Sequence, residues 1–146
     1  MPKERIPVDV KRLVVQRAGN CCEYCRSQAR FAPEPFSIEH ITPRFAGGPT
    51  VESNLALSCQ GCNSYKAIKT TAPDPMTGLP AALFNPREQA WSEHFAWSEG
   101  YTTVRGLTPV GRATVTTLRL NREGLANMRS ALYRILEHPP GEPNPN

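Results

Sequence analysis

The N-terminal part of the chain carries a helical pattern of apolar residues. Over residues 8–18 the apolar positions recur at intervals of three and four, which is the spacing of one helix face: Val10, Leu13, Val14 and Ala18. Gly19-Asn20 supplies an end to this helix. We expect an amphipathic helix whose apolar face packs against the rest of the fold.

A period of two replaces the helical period at residues 36–41 and predicts a short strand. The alternation puts Phe36, Ile38 and His40 on one side and Ser37, Glu39 and Ile41 on the other. A regular strand would therefore point the neighbouring side chains of Glu39 and His40 to opposite faces, unless it bends or bulges there.

The elements after this strand complete a small unit. A turn-rich loop at residues 43–49 contains two consecutive glycines and leads to a returning strand at residues 55–57. A helix over residues 60–69 follows. Asn63 and Lys66 share a face of this helix because they are three positions apart.

The second half of the chain gives a mixture of helix and hairpin signals. Residues 70–80, rich in proline and glycine, read as a linker or an ordered loop. The predicted elements after it are a helix over 85–91 capped by Asn85, a hairpin of 94–97 with 101–104, a helix over 108–118 begun by Thr108-Pro109, and a last helix capped by Asn121 with the stripe Leu125, Met128, Leu132 and Ile135. The whole pattern predicts the α+β class.

Composition and charge narrow the class of protein. The 146 residues are 39% hydrophobic and 21% charged, which is enough for one domain with a modest core. No apolar run reaches the roughly 18 residues of a membrane span, and the N-terminus lacks the apolar centre of a secretory signal, so we expect a cytosolic protein without a membrane partner. The net charge of +4 falls entirely within residues 1–70, which favours a polyanionic partner.

The cysteine pattern predicts a zinc site. Four of the five cysteines form two Cys-x-x-Cys pairs, Cys22 with Cys25 and Cys59 with Cys62. Two such pairs suit tetrahedral zinc because each short loop brings two sulfurs to one metal. Cys21 is then the spare thiol, expected to be a small buried residue.

Several further residues fall in one register with the two pairs. They are Glu39-His40, Pro43, Gly47-Gly48, Asn54-Leu55, Asn63 and Lys66. Together with the cysteines, this arrangement resembles the HNH endonuclease family in its zinc-stapled form. The resemblance covers about 45 residues and implies a ββα-metal core, in which a hairpin is followed by a helix. It also implies that the hairpin is irregular near Glu39 and His40, so that both side chains approach one phosphate.

The resemblance implies a role for each motif residue. His40 would be the general base that takes a proton from water, a role suited to the ordinary pKa of histidine. Glu39 and Asn63 would bind a catalytic Mg²⁺ or Mn²⁺ ion, since hard cations prefer oxygen ligands. Asn54 would fix the loop that carries His40.

Two basic residues would complete the site by contacting phosphate, namely Lys66 and Arg44. Two positions depart from the commonest family pattern, which has aspartate in place of Glu39 and histidine in place of Asn63.

Other polar and aromatic residues have more ordinary interpretations. His94 and His138 lack a catalytic setting, so we expect structural or solvated roles. The aromatic residues Trp91, Phe95, Trp97 and Tyr101 are expected in the core, with base stacking as the alternative. Five C-terminal arginines are expected on a solvated face, with extension of a duplex track as the alternative: Arg112, Arg119, Arg122, Arg129 and Arg134.

These observations lead to one organisation and two principal hypotheses for function. Residues 1–70 would form an N-terminal helix and the zinc-stapled nuclease core, residues 71–138 an extension packed on it, and residues 139–146 a disordered tail. The first hypothesis is a metal-dependent endonuclease acting on DNA, with RNA as the open alternative. The second is a non-catalytic zinc module that binds nucleic acid. A protein-binding zinc adaptor is a third interpretation, but it leaves the basic bias of residues 1–70 unused.

Overall fold

The computed structural model describes residues 5–141, and the prediction of an α+β fold is confirmed. Its helices and strands are α1 (Val8–Arg17), β1 (Ser37–His40), β2 (Leu55–Ser58), α2 (Gln60–Lys66), β3 (Thr71–Pro73), β4 (Pro80–Ala82), α3 (Trp91–His94), β5 (Phe95–Trp97), β6 (Val104–Gly106), α4 (Pro109–Thr117) and α5 (Glu123–Arg134). Within the described residues, no helix has the length and apolar content needed to cross a bilayer.

The elements of the N-terminal unit follow the sequence pattern closely. Strands β1 and β2 pair antiparallel, and helix α1 buries Val14 against Leu55 and Leu57 of β2. Helix α2 follows directly but ends at Lys66 rather than at residue 69. The reason is local, because Ala67 adopts a positive φ of 49° that cannot continue a helix.

The regular register of the hairpin contradicts the irregularity that the resemblance implied. Ser37 pairs with Ser58, and the pairing continues without a bulge to His40 opposite Leu55. Consecutive side chains of an unbroken strand point to opposite faces. Glu39 therefore turns toward α2, and His40 turns toward the loop that follows β1.

The second half of the chain forms two more hairpins and three helices, of which α3 is a single turn. The segment predicted as a linker contains β3 and β4, which pair with each other. Strands β5 and β6 form a second hairpin near the predicted one, but its returning strand runs over Val104–Gly106 rather than residues 101–104. The predicted cap of α4 is confirmed, because the Thr108 hydroxyl accepts a hydrogen bond from the Gly111 amide at 3.0 Å.

Two local predictions in this half are wrong. Residues 85–91 form a single turn rather than a helix: the Asn85 side chain accepts from the Arg87 amide at 2.9 Å, and Ala90 is already extended. Asn121 does not cap α5, because its side-chain amide accepts a hydrogen bond from the Val104 amide and donates one to the Val104 carbonyl.

The expected apolar stripe of α5 is only half correct. Leu125 and Leu132 are buried, whereas Met128 and Ile135 are exposed. Arg129 is buried on this helix instead. Its burial is possible because its guanidinium finds backbone acceptors and an aromatic ring inside the fold.

One hydrophobic core joins the two halves of the chain. It contains the four paired cysteines together with Leu83, Phe84, Trp91 and Phe95 of the second half. The indole N–H of Trp91 donates to the Tyr24 carbonyl at 2.9 Å. The expectation that Trp91 and Phe95 belong to the core is confirmed.

Part of the segment expected to be a disordered tail is held in place. The His138 side chain is buried, and its Nε2 lies 2.9 Å from the Tyr101 carbonyl oxygen. Arg26 donates to the Gly141 carbonyl at 2.8 Å. These contacts explain why the chain stays ordered past residue 139, and residues 142–146 lie outside the described structure.

Candidate metal centre and catalytic site

The two cysteine pairs converge at one point, as their spacing predicted. The sulfur atoms of Cys22, Cys25, Cys59 and Cys62 all lie within 4.8 Å of one another, and all four residues are buried. The Cys25 and Cys59 sulfurs are 3.7 Å apart. Zinc–sulfur bonds of about 2.3 Å place the sulfurs of a tetrahedral site about 3.8 Å apart. The donor set and its spacing therefore fit a structural zinc ion.

Each pair is formed by a local backbone feature. After the first pair, Arg26 adopts a positive φ of 65°, and its amide donates to the Cys22 carbonyl at 3.0 Å. In the second pair, Cys59 is the N-cap of α2, and its sulfur lies 3.4 Å from the Cys62 amide nitrogen. Burial raises the pKa of the Cys22 thiol well above its ordinary value, so ionising the cluster needs compensating positive charge.

The two residues between the first pair of cysteines attach it to the rest of the fold. Glu23 accepts from the Leu57 amide at 2.8 Å and forms an ion pair with Arg87. Tyr24 is fully buried, and its hydroxyl donates to the carboxylate of Glu39. The first cysteine pair is thus connected through Tyr24 to Glu39, which the sequence predicts to be catalytic.

His40 lies at the end of β1, beside the loop that follows it. Its Nε2 is 2.8 Å from the Thr50 hydroxyl oxygen, and the side chain is half-buried. A hydrogen bond to one ring nitrogen fixes the orientation of a histidine side chain. The arrangement therefore has the form of an oriented base.

Asn54 ties the same loop to the hairpin. Its side-chain oxygen accepts from the Thr42 amide at 2.9 Å, and its amide group donates to the carbonyls of Thr42 at 3.0 Å and Pro49 at 2.9 Å. Gly48 has no room for a side chain here, because a Cβ atom would overlap the Thr42 carbonyl and lie 2.9 Å from the Asn54 amide nitrogen. These contacts hold both ends of residues 42–50.

Glu39 points into the protein rather than toward His40. Its carboxylate accepts from Tyr24 and lies 3.5 Å from the Lys66 ammonium group. Burial raises the pKa of Glu39, and the charge of Lys66 and the Tyr24 hydrogen bond partly offset that rise. The carboxylate thus lies in a buried position between one ammonium group and one hydroxyl donor.

Lys66 does not occupy the place expected of a phosphate contact. The side chain is 1% exposed, and its ammonium group also donates to the Ile41 carbonyl at 3.1 Å. Internal partners bind the ammonium group in this arrangement, and the phosphate contact of Lys66 stays a prediction. Arg44 is exposed on the loop that follows β1, and Asn63 is half-buried on α2.

Three residues that sequence reasoning missed contribute to these sites. Tyr24 bonds Glu39, Thr50 bonds His40, and Arg122 bonds the cysteine sulfurs. Tyr24 sits inside a Cys-x-x-Cys pair, where a large aromatic residue is a usable signal. Thr50 and Arg122 carry no such signal, since their contacts depend on a loop and on a distant helix.

A zinc-type cysteine cluster that holds a β-hairpin and the helix after it defines the ββα-metal class. The HNH endonuclease family model matches residues 22–67, which is close to a third of the chain and includes every element of this unit. The chain therefore contains an HNH domain, and the resemblance found in the sequence is confirmed. No curated protein and no solved structure matches the chain.

Proposed function

We propose that this protein is a metal-dependent endonuclease that hydrolyses phosphodiester bonds of DNA. The observation that carries the proposal is the oriented His40, which lies within the HNH domain and is bonded to Thr50. A zinc scaffold needs the four cysteines but has no need of such a base. The basic surplus of residues 1–70 supports a nucleic-acid substrate.

His40 would act as the general base. In the tautomer in which Nε2 donates to the Thr50 hydroxyl, Nδ1 carries the lone pair that accepts a proton from water. The resulting hydroxide attacks phosphorus, and the bond from phosphorus to the 3′ oxygen breaks. A general base of this kind contributes about 100- to 10,000-fold in rate.

Glu39 and Asn63 would hold a Mg²⁺ or Mn²⁺ ion through their side-chain oxygens. Such an ion supplies positive charge for the phosphate and for the departing oxygen. Tyr24 and Lys66 would keep Glu39 positioned and ionised, and Asn54 would fix the loop that carries His40. Exposed Arg44 on the same loop would contact phosphate.

The cytosol is the compartment we propose, because free cysteine pairs and their zinc are most stable where thiols stay reduced. The alternative function is a zinc module that binds nucleic acid without cutting it. The same charge distribution would support that alternative, so cleavage itself must be measured.

The test is cleavage of a supercoiled plasmid by purified protein with Mg²⁺ and, separately, Mn²⁺. We expect cutting that EDTA abolishes and that His40→Ala reduces by at least about 100-fold. His94→Ala is the matched control, because His94 makes the same kind of bond, 2.7 Å from its Nδ1 to the Thr108 hydroxyl, in the other half of the chain. Zinc content should be equal in all three proteins.

Two results would argue against the proposal. Cleavage that persists in His40→Ala would assign the activity to another base or to a contaminant. Binding of DNA that weakens with salt, without any cleavage by the wild type, would favour the zinc module instead.

A further inference from the structure

An arginine of the C-terminal extension approaches the second cysteine pair. Arg122, just before α5, places Nη2 3.4 Å from the Cys59 sulfur and Nη1 3.7 Å from the Cys62 sulfur. One guanidinium group therefore reaches both sulfurs of the second pair. The sequence predicts a solvated face for this arginine, whereas its guanidinium turns to the sulfurs.

The second cysteine pair is shaped to accept this guanidinium. Gly61 lies between Cys59 and Cys62, and a Cβ atom at this position would lie 2.9 Å from the Arg122 Cζ and overlap Nη2. Glycine within a helix costs roughly 0.5–1 kcal/mol relative to alanine. The close approach of Arg122 gives a physical reason for glycine here.

Arg122 is also held in place from its own side. Its Nη1 donates to the carbonyls of Leu118 at 3.1 Å and Arg119 at 3.2 Å. The guanidinium carbon lies 5.6 Å from the centre of the Tyr65 ring. These contacts orient the guanidinium toward the sulfurs.

A second arginine approaches the first cysteine pair. Arg129 is 4% exposed, and its Nη2 donates to the Cys25 carbonyl at 3.3 Å. Among residues 5–141, neither Arg122 nor Arg129 forms an ion pair with a carboxylate. Burying a cation without a negative partner is costly. Four thiolates on one Zn²⁺ ion carry a net charge of −2, which two arginines balance.

We propose that Arg122 and Arg129 are built-in counter-cations of the zinc tetrathiolate, with Arg122 donating hydrogen bonds directly to its sulfurs. The C-terminal extension then helps the protein to retain zinc through Arg122 and Arg129, in addition to covering the hairpin. Outer partners of this kind typically contribute 10- to 100-fold to metal affinity. The inference concerns the structural metal and does not require the proposed nuclease activity.

The test is the rate at which the zinc-loaded protein releases its metal to an excess of a coloured chelator. We expect Arg122→Met to release zinc about 10- to 100-fold faster than the wild type. Arg122→Lys, which keeps the charge but cannot reach both sulfurs, should be intermediate. Arg119→Met is the control, since Arg119 lies 4.8 Å over the same Tyr65 ring and has no sulfur contact within the described residues. It should release zinc at the wild-type rate.

A spectroscopic measurement separates direct bonding from general loosening of the fold. With Co²⁺ in place of zinc, loss of a hydrogen bond to a thiolate makes the sulfur a better electron donor. The sulfur-to-cobalt charge-transfer band of Arg122→Met should therefore shift to lower energy, and that of Arg119→Met should not. Unchanged release rate and band in a folded Arg122→Met would overturn the proposal, as would wild-type protein that purifies without zinc. If Arg122→Met does not fold, wild-type release and spectrum in Arg122→Lys would overturn it.

Discussion

Two buried carboxylates, one in each half of the molecule, are held in opposite ways. Asp74, in the β3–β4 hairpin, receives two hydrogen bonds from Arg112 at 2.8 and 2.9 Å, and two more from the Met76 amide and the Thr77 hydroxyl. Glu39, in the HNH domain, has one ammonium group at 3.5 Å and one tyrosine hydroxyl.

The difference appears in the acidity of the two groups. The hydrogen bonds from Arg112 lower the pKa of Asp74 well below its ordinary value, whereas burial raises the pKa of Glu39 despite Lys66. Asp74 is thus fully satisfied, as expected of a carboxylate that stabilises the fold. Burial opposes the charged form of Glu39, a pattern that is frequent at functional sites.

The largest expected effect is on activity. Glu39→Gln keeps the shape of the side chain but removes the charge that would bind the metal ion, so we expect plasmid cleavage to fall by at least about 100-fold. Asp74→Asn should leave cleavage unchanged, because the hydrogen-bond partners of the Asp74 side chain among residues 5–141 all lie in the extension. Equal losses in the two variants would remove the functional distinction between these carboxylates.

The next largest effect is on thermal stability, where Asp74→Asn rather than Glu39→Gln should be the more damaging substitution. Asp74→Asn should lower the Tm at pH 7, while Glu39→Gln should keep or raise it. The pKa of Asp74 is lowered on folding, so its contribution is complete above the unfolded value of about 3.9 and is lost as the pH falls below it. The deficit of Asp74→Asn should therefore shrink in acid.

Glu39 should show the opposite sign in the same experiment. Its pKa is raised on folding, so its contribution is complete below the unfolded value of about 4.3 and is lost as the pH rises through the folded value. Glu39→Gln should therefore gain stability relative to the wild type as the pH rises. Calorimetric Tm values of both variants between pH 3 and pH 8 would check these trends, and parallel profiles would contradict them.

The smallest effect tests the tyrosine that supports Glu39. Tyr24→Phe removes a hydrogen bond to the charged carboxylate, so the pKa of Glu39 should rise further. The acid limb of the pH–rate profile for cleavage should then move to higher pH by roughly one unit or less. Thr77→Val removes the matching bond at Asp74 and should leave the profile in place.

The sequence predicted the parts of the fold that depend on short-range patterns. Cysteine spacing, the alternation at residues 36–41 and the Thr108-Pro109 signal each depend on neighbours within a few positions, and each was confirmed. The convergence of the two cysteine pairs was the one long-range feature that the sequence could predict. That prediction came from metal chemistry, because four thiols of this spacing have few uses other than binding zinc.

The failures came where a distant partner overrode a local preference. Asn121 has the side chain of a helix cap, yet it bonds the edge of β6. Lys66 and Arg129 are charged, yet both are buried by groups far away in the sequence. No local pattern reports such partners, because the burial of a charge depends on what the completed fold places beside it.

The contacts of residues 23–30 also determine when the first cysteine pair can become fully enclosed during protein synthesis. Their partners lie much later in the chain. Glu23 forms an ion pair with Arg87, and the Tyr24 carbonyl accepts from Trp91. Gln28 and Arg26 donate to the carbonyls of Glu137 and Gly141. A ribosome delivers about 5–20 residues per second, so several seconds separate the emergence of these partners. We expect a nascent HNH domain to keep one flank open to solvent until the last residues of the described chain have emerged.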